Sequence, residues 1–186
     1  MRRFLHGFRS LFLQWRHDGL AAAWRWLHGH AVPCLVGVPA LRFCRVTDRL
    51  LVGPQIGRAG MRLLLRHGVR ASVNLRIESC DRARGVALPE HLHLPTVDDT
   101  PPALEQLAEG AAFIRRALAA GRTVYVHCAS GVGRAPTLAI AFLVSEGASL
   151  DEAMGRVRQA RPFVRLTGGQ HEQLVRFAAL ARRERS

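Results

Sequence analysis

Thr123-Val-Tyr-Val-His-Cys-Ala-Ser-Gly-Val-Gly-Arg-Ala-Pro-Thr-Leu-Ala-Ile-Ala-Phe-Leu-Val-Ser-Glu146 reads as three pieces. Thr123 to His127 is apolar and β-branched, with the length of a buried strand. Arg134 to Glu146 is a helix that Gly147 ends. Between them a short segment with glycines at 131 and 133 turns the chain. A strand that feeds directly into an apolar helix belongs to a parallel sheet, and open sheets of that kind bind ligands at the carboxyl ends of their strands. Residues 128 to 133 therefore stand where a ligand is expected.

The same alternation continues outward from that stretch. Leu50 to Val52 reads as a strand ended by Gly53-Pro54, Arg58 to His67 as a short helix stopped by Gly68, and Val69 to Leu75 as a strand. Residues 78 to 89, with Asp81, Gly85 and Pro89, form a loop before the strand His91 to Pro95. Thr100 is expected to cap a helix that Pro101 opens and Gly121 closes, with Leu104, Leu107, Ala111, Ile114 and Leu118 on its buried stripe. Ser149-Leu-Asp-Glu152 is a capping box for a helix reaching about Ala160, and Thr167-Gly-Gly-Gln170 resembles another before the last helix. Residues 41–186 are thus expected to form an α/β domain, a central and mostly parallel sheet of four to five strands flanked by helices.

Residues 1–40 have a different composition. They hold all three tryptophans, three of the eight phenylalanines and one acidic residue, Asp18. Phe4, Phe8, Leu11, Phe12 and Trp15 recur at helical spacing while Arg2, Arg3, Arg9 and Arg16 fall mostly on other faces, which predicts a basic, aromatic, amphipathic N-terminal extension. Such a helix either lies on an anionic membrane surface or packs on the domain as an extra core helix.

With 186 residues, 48% of them hydrophobic, the chain has material for one sizeable core and is neither disordered nor fibrous. Its 27 basic residues, all arginine, against 14 acidic ones give +13 and point to anionic partners. Nucleic acid is set aside because the arginines are spread throughout and no aromatic stacking platform accompanies them. Neither Leu27 to Leu41 nor the helix from Ala135 reaches the ~18 apolar residues of a membrane span, and Arg9, Arg16 and Asp18 interrupt any signal-peptide core. The four cysteines, Cys34, Cys44, Cys80 and Cys128, form no CxxC pair, so a reducing, cytoplasmic setting is expected, peripheral at the membrane if the extension binds one. The nearest histidine pairs, His28 with His30 and His91 with His93, lack the clustered ligands of a metal centre, and no cofactor is expected.

The chemistry sits in His127-Cys-Ala-Ser-Gly-Val-Gly-Arg134. Glycines at 131 and 133 let the backbone curl so that successive N–H groups of Ala129, Ser130, Gly131, Val132 and Gly133 converge on one point, and the following helix adds its positive end. Arg134 offers a planar fork to two phosphate oxygens. A free thiol has a pKa of about 8.5, but Cys128 inside this ring of donors is expected to be thiolate at neutral pH and to attack phosphorus. The expelled alkoxide or phenoxide needs an acid, and Asp98 or Asp99, after the strand His91 to Pro95, can reach it.

In these features the sequence resembles the cysteine-dependent protein tyrosine phosphatases, and within them the compact dual-specificity branch. The resemblance runs from about Arg45 to the last helix. It takes in Asp48-Arg-Leu-Leu-Val-Gly53, Gly68-Val-Arg-Ala-Ser-Val-Asn-Leu75, the acid loop Leu94-Pro-Thr-Val-Asp-Asp-Thr100, the signature Val126 to Arg134, and Ala160-Arg-Pro-Phe163. It implies that Cys128 is the nucleophile, Arg134 the phosphate clamp, and Asp98 the acid and later the base that activates water. His127 and Asp99 are supporting residues, and the spacing of the acid loop favours Asp98 over Asp99. One position departs from the pattern. Most of the family has Ser or Thr after the signature arginine, where this chain has Ala135, so phosphocysteine hydrolysis is expected to be slow unless Ser130 or Thr137 supplies the hydroxyl.

The substrate implied is a phosphorylated protein, with phosphotyrosine, phosphoserine or phosphothreonine. A phospholipid at a membrane surface is the alternative, since Leu-Pro-Thr-Val-Asp also resembles the acid loop of the phosphatidylglycerophosphate-directed members. A weakly active phosphate-binding scaffold is the third. No lysine or arginine lies between Cys128 and Arg134, which disfavours polyphosphorylated headgroups. Cys80 reads first as a passive loop cysteine; by analogy with relatives that guard their nucleophile with a second thiol, a disulfide with Cys128 is the alternative.

Overall fold

A computed structural model describes Trp24 and residues 26–183. The expected helix over Phe4 to Trp15 lies outside the described residues. Four strands, β1 (Leu50–Gly53), β2 (Val69–Arg76), β3 (Glu90–Thr96) and β4 (Thr123–His127), form one sheet in the order β1-β4-β2-β3, with every pairing parallel. The strand that ends at the cysteine is therefore central. Its neighbours deliver their own carboxyl ends to the same edge, with Gly53 opposite His127 and Asn74 also opposite His127.

Side-chain alternation assigns the two faces. Leu50 and Val52 of β1, Ala71, Val73 and Leu75 of β2, and Val124 and Val126 of β4 join the larger core beneath α3 (Leu104–Ala119), α4 (Arg134–Ser145), α5 (Leu150–Ala160) and α6 (Gly168–Arg183). Leu51 and Tyr125 point the other way, and so does Val69, which a register shift in the β2–β4 pairing sets off from Ala71. They meet Leu64 of α2 (Arg58–Arg66), Val86 and Leu88 of the loop after β2, and Cys44. Every residue of α4 from Arg134 to Val144 is buried, as expected of a helix apolar on all sides.

Most expected boundaries hold to within one residue. The exception is α3, which begins at Leu104 with Ala103 as its N-cap instead of at Pro101. Pro101 is itself followed by Pro102, and a residue before proline is driven out of the helical region. Gln106 Oε1 accepts the Ala103 N–H at 3.0 Å, and Thr100 donates its hydroxyl to the Val97 carbonyl at 2.8 Å instead of capping the helix. Both capping boxes form: Ser149 with Glu152, and Thr167 with Gln170.

Ahead of the sheet, a π-helical turn (Leu27–Ala31) runs into α1 (Val32–Val36), which Gly37 closes at φ 66°. Gly29 is buried against the rings of Phe43 and Phe163, and Gly57 donates its N–H to the Gly37 carbonyl at 2.8 Å. The described part of the extension thus packs on the domain. Among the described residues no helix is long and apolar enough to cross a membrane.

Candidate active site

The chain leaves β4 at His127 and enters α4 at Arg134, and the peptide groups between share one arrangement. Gln55 N–H donates to the Ala129 carbonyl at 3.1 Å, and Arg161 Nη2 to that of Ser130 at 2.8 Å. Arg161 Nε donates to the Gly131 carbonyl, Arg165 N–H to that of Val132 at 2.9 Å, and Thr137 N–H and Oγ1 to that of Gly133. Each carbonyl from 129 to 133 is therefore engaged by a donor from outside the loop. Gly131 sits at φ 68°, where an added Cβ would come 2.4 Å from the Gly53 carbonyl, so curvature and close approach both require glycine there. Its N–H points at Cys128 Sγ, 3.3 Å away. The sulfur stands at the start of the turn ahead of the N-terminal end of α4.

Arg134 ties this loop to the ends of two neighbouring strands. It is 1% exposed, and its Nη1 donates to the Thr96 carbonyl at 2.7 Å and the Leu75 carbonyl at 3.3 Å. The Glu78 carboxylate takes both guanidinium Nη atoms, at 2.9 and 3.0 Å, and Asp98 Oδ1 lies 2.8 Å from Nη2. Nε is buried without a partner, a donor suited to an anion in the loop. Hydrogen bonding from Arg134 holds the Glu78 carboxyl at about 2, against the opposing effect of burial.

Asp98 and Asp99 part company here. Asp98 meets the arginine, whereas Asp99 is exposed at φ 62° and its carbonyl accepts the Thr167 hydroxyl at 3.3 Å. Gln170, fully buried, donates to the Thr100 carbonyl at 3.1 Å and packs its amide under Gly133, joining the acid loop to the phosphate loop. His127 is also fully buried, with Nε2 2.7 Å from Asp81 Oδ2. Thr137 spends its hydroxyl on Gly133, and Ala135 is wholly buried in the core.

Sequence reasoning missed Glu78, Asp81, Arg161 and Cys34. The first three lie 56, 46 and 30 residues from the loop atoms they hold; the sheet order brings in Glu78 and Asp81, and the end of α5 brings in Arg161. A carboxylate just beyond β2 was the available signal for Glu78, because β2 lies beside β4. Cys34 donates its thiol to the Ser130 carbonyl at 3.8 Å, and its own carbonyl accepts from Gln55 Nε2 at 3.1 Å. Burial pushes the Cys34 thiol up to about 11. All four cysteines are free thiols.

The family description "dual specificity phosphatase, catalytic domain" matches residues 59–179. Among curated proteins, the chain is 31% identical over 157 residues to the rat phosphatidylglycerophosphatase and protein-tyrosine phosphatase 1, covering 76% of this chain and 80% of that one. It is 34% identical over 90 residues to the Arabidopsis thaliana phosphatidylglycerophosphate phosphatase PTPMT1, covering 47% of this chain. The match spans 27% of the length of that relative, and 45% of the human counterpart of the rat protein. Among solved structures, PTPMT1 in complex with PI(5)P superposes with a TM-score of 0.70 at 26% identity, over 76% of this chain and 97% of that one. Human DUSP28 gives 0.67 at 26% identity, over 76% and 99%.

Proposed function

The chain belongs to the dual specificity phosphatase family, and from that premise we propose that it hydrolyses phosphate monoesters through a cysteinyl-phosphate, with phosphotyrosine, phosphoserine or phosphothreonine in proteins as first substrate class. The observation that carries this reading is the back-tied loop. With every carbonyl from 129 to 133 engaged behind it, the loop N–H groups are left for an anion, apart from that of Gly131, which points at Cys128 Sγ. Oriented amides of this kind stabilise charge without reorganising during reaction.

Cys128 thiolate attacks phosphorus, the S–P bond forms, and the ester P–O bond breaks as Asp98 gives its proton to the leaving oxygen. Water then attacks phosphorus, Asp98 takes its proton, and the S–P bond breaks to return the thiolate. Arg134 serves both steps by offering its unpartnered Nε, joined by Nη2 as Asp98 turns from it to the leaving oxygen, to two equatorial oxygens. The four free thiols fit a reducing, cytoplasmic setting.

A phospholipid monoester is the second reading, and a specific observation favours it. Trp24, Leu27, Val32, Leu35 and Val36 are exposed on the N-terminal segment, Leu35 by 75%, while Cys34 of the same segment touches the phosphate loop. From residue 19 to residue 70 there are eight arginines and one carboxylate, Asp48. Apolar residues beside unopposed positive charge suit an anionic bilayer.

Purified protein assayed against an aryl phosphate, phosphopeptides and short-chain phospholipid monoesters, beside Cys128→Ser and Asp98→Ala, tests both readings. Cys128→Ser is expected to lower turnover by at least about a thousandfold. Unchanged activity in that variant overturns the mechanism. Flotation with anionic vesicles, with and without residues 1–40 and with Leu35→Glu, reports the membrane contact.

A further inference from the structure

Glu78-Ser-Cys-Asp81 leaves the carboxyl end of β2 and touches the phosphate loop at both of its ends. Glu78 grips Arg134, the residue that closes the loop, through two Nη contacts. Asp81 grips His127, the residue that opens it, at 2.7 Å. Asn74 on β2 fastens the stretch between these contacts, donating to the Ser79 carbonyl at 2.8 Å and to Asp81 Oδ1 at 3.3 Å while its own Oδ1 accepts the Arg76 N–H.

The Asp81–His127 contact lies in the interior, where both side chains are fully buried. A buried carboxylate is costly unless neighbouring groups compensate its charge, and here they do. Burial pushes the Asp81 carboxyl up, but the hydrogen bond from His127 and the charges of His127, His91 and Arg84 outweigh it and leave it below its ordinary value. The imidazole has a single polar anchor: Nε2 faces Asp81, Nδ1 is buried without a partner, and the ring stacks on Tyr125 at 5.6 Å. The orientation of the side chain before the nucleophile therefore depends on Asp81.

We propose that Asp81 is a positioning residue which, together with Glu78, clamps the two ends of the phosphate loop through one four-residue segment, so that Cys128 and Arg134 are set as a unit. The inference rests on the cysteine phosphatase reading of the same loop. Because one short segment carries both carboxylates, loosening it at Asp81 leaves Glu78 held by Arg76 Nε at 3.1 Å and by the Asn74–Ser79 bond alone, and the fork that orients Arg134 shifts with it. The signature is energetic coupling between two carboxylates that act on different loop residues, where independent positions would contribute additively.

The test is a double-mutant cycle on the full chain with an aryl phosphate as substrate and inorganic phosphate as inhibitor. Asp81→Asn keeps an acceptor of the same shape for His127 Nε2, and Asp81→Ala removes it. Asp81→Ala is expected to lower kcat/KM by about tenfold or more and to weaken inorganic phosphate by about fivefold or more, with Asp81→Asn recovering most of both losses. The double variant of Asp81→Ala with Glu78→Gln is expected to fall short of the product of the single losses by at least about fivefold. Should Asp81→Ala fail to fold, the cycle is run with Asp81→Ser, whose side chain is too short to reach His127 Nε2, and the same shortfall is expected. Losses that multiply to within about twofold overturn the clamp, as does a lowered melting temperature with unaltered phosphate inhibition. An inactive Cys128→Ser beside a multiplicative cycle removes the clamp alone, whereas an active Cys128→Ser removes the phosphatase reading on which it rests.

Discussion

Acid should release the N-terminal segment from the back of the phosphate loop, and His30 sets the pH at which this happens. Burial, reinforced by the charge of Arg161, lowers the His30 imidazole from 6.5 to about 4. Its ring packs 5.7 Å from that of Phe163, and Nδ1 lies 3.9 Å from the Cys34 thiol that contacts Ser130. A histidine whose folded value is depressed stabilises the fold above its unfolded value, and that contribution is lost as pH falls through the folded one. Between pH 6.5 and 4 the unfolded chain binds the extra proton. Linkage with these two values gives a loss of about 2 kcal/mol by pH 5 and about 3 kcal/mol by pH 4, relative to pH 7. Other groups titrate in the same range, so the informative quantity is a difference. Urea unfolding of the native protein and of His30→Leu at pH 7, 5 and 4 should show the native protein losing that much more stability than the variant. Parallel pH dependences, or an imidazole resonance titrating near 6.5, would refute the reasoning.

Gly131→Ala places a methyl group against the Gly53 carbonyl at a positive φ, with an expected cost of about 2 kcal/mol; it should abolish inhibition by inorganic phosphate, which steady-state kinetics will report. Ala135→Ser restores a hydroxyl in a chain whose Thr137 hydroxyl is committed to Gly133, so pre-steady-state assays should give a smaller burst and faster steady-state turnover. No acceleration in that variant counts against slow phosphocysteine hydrolysis. The Glu78 contribution to stability, with its carboxyl held at about 2, is fully present above 4.5 and fades only as pH falls from there through about 2. The stability difference between the native protein and Glu78→Gln should therefore be flat from pH 5 to 8 and shrink below 4.5, as followed by denaturant unfolding.

The sheet and its helices were legible because their signals are local. Alternation in Leu50 to Val52, the Ser149–Glu152 box and the all-apolar α4 each act within a few residues. The start of α3 departs from the expected Pro101 because Pro102 drives the residue before it out of the helical region. Cys128, Arg134 and the five residues between were legible as one contiguous loop. The roles of the residues that brace the loop were not: Glu78 and Asp81 are single charges that the strand order β1-β4-β2-β3 carries to it, and Arg161, although inside the quoted Ala160-Arg-Pro-Phe163, reaches back to it from the end of α5. Cys34, which carries no motif, rests against Ser130, a contact made across 96 residues of sequence.

With its carbonyls occupied from behind, the phosphate loop has no spare peptide to flip and so gains little latitude for discriminating one ester from another. Selectivity is displaced to the rim. Ile77 and Val97, 55% and 54% exposed, each precede a carboxylate that contacts Arg134. Side chains exchanged at these two places alter what the leaving group encounters while the bond-breaking apparatus stays intact, so a library confined to them is the economical route to an enzyme with a new appetite.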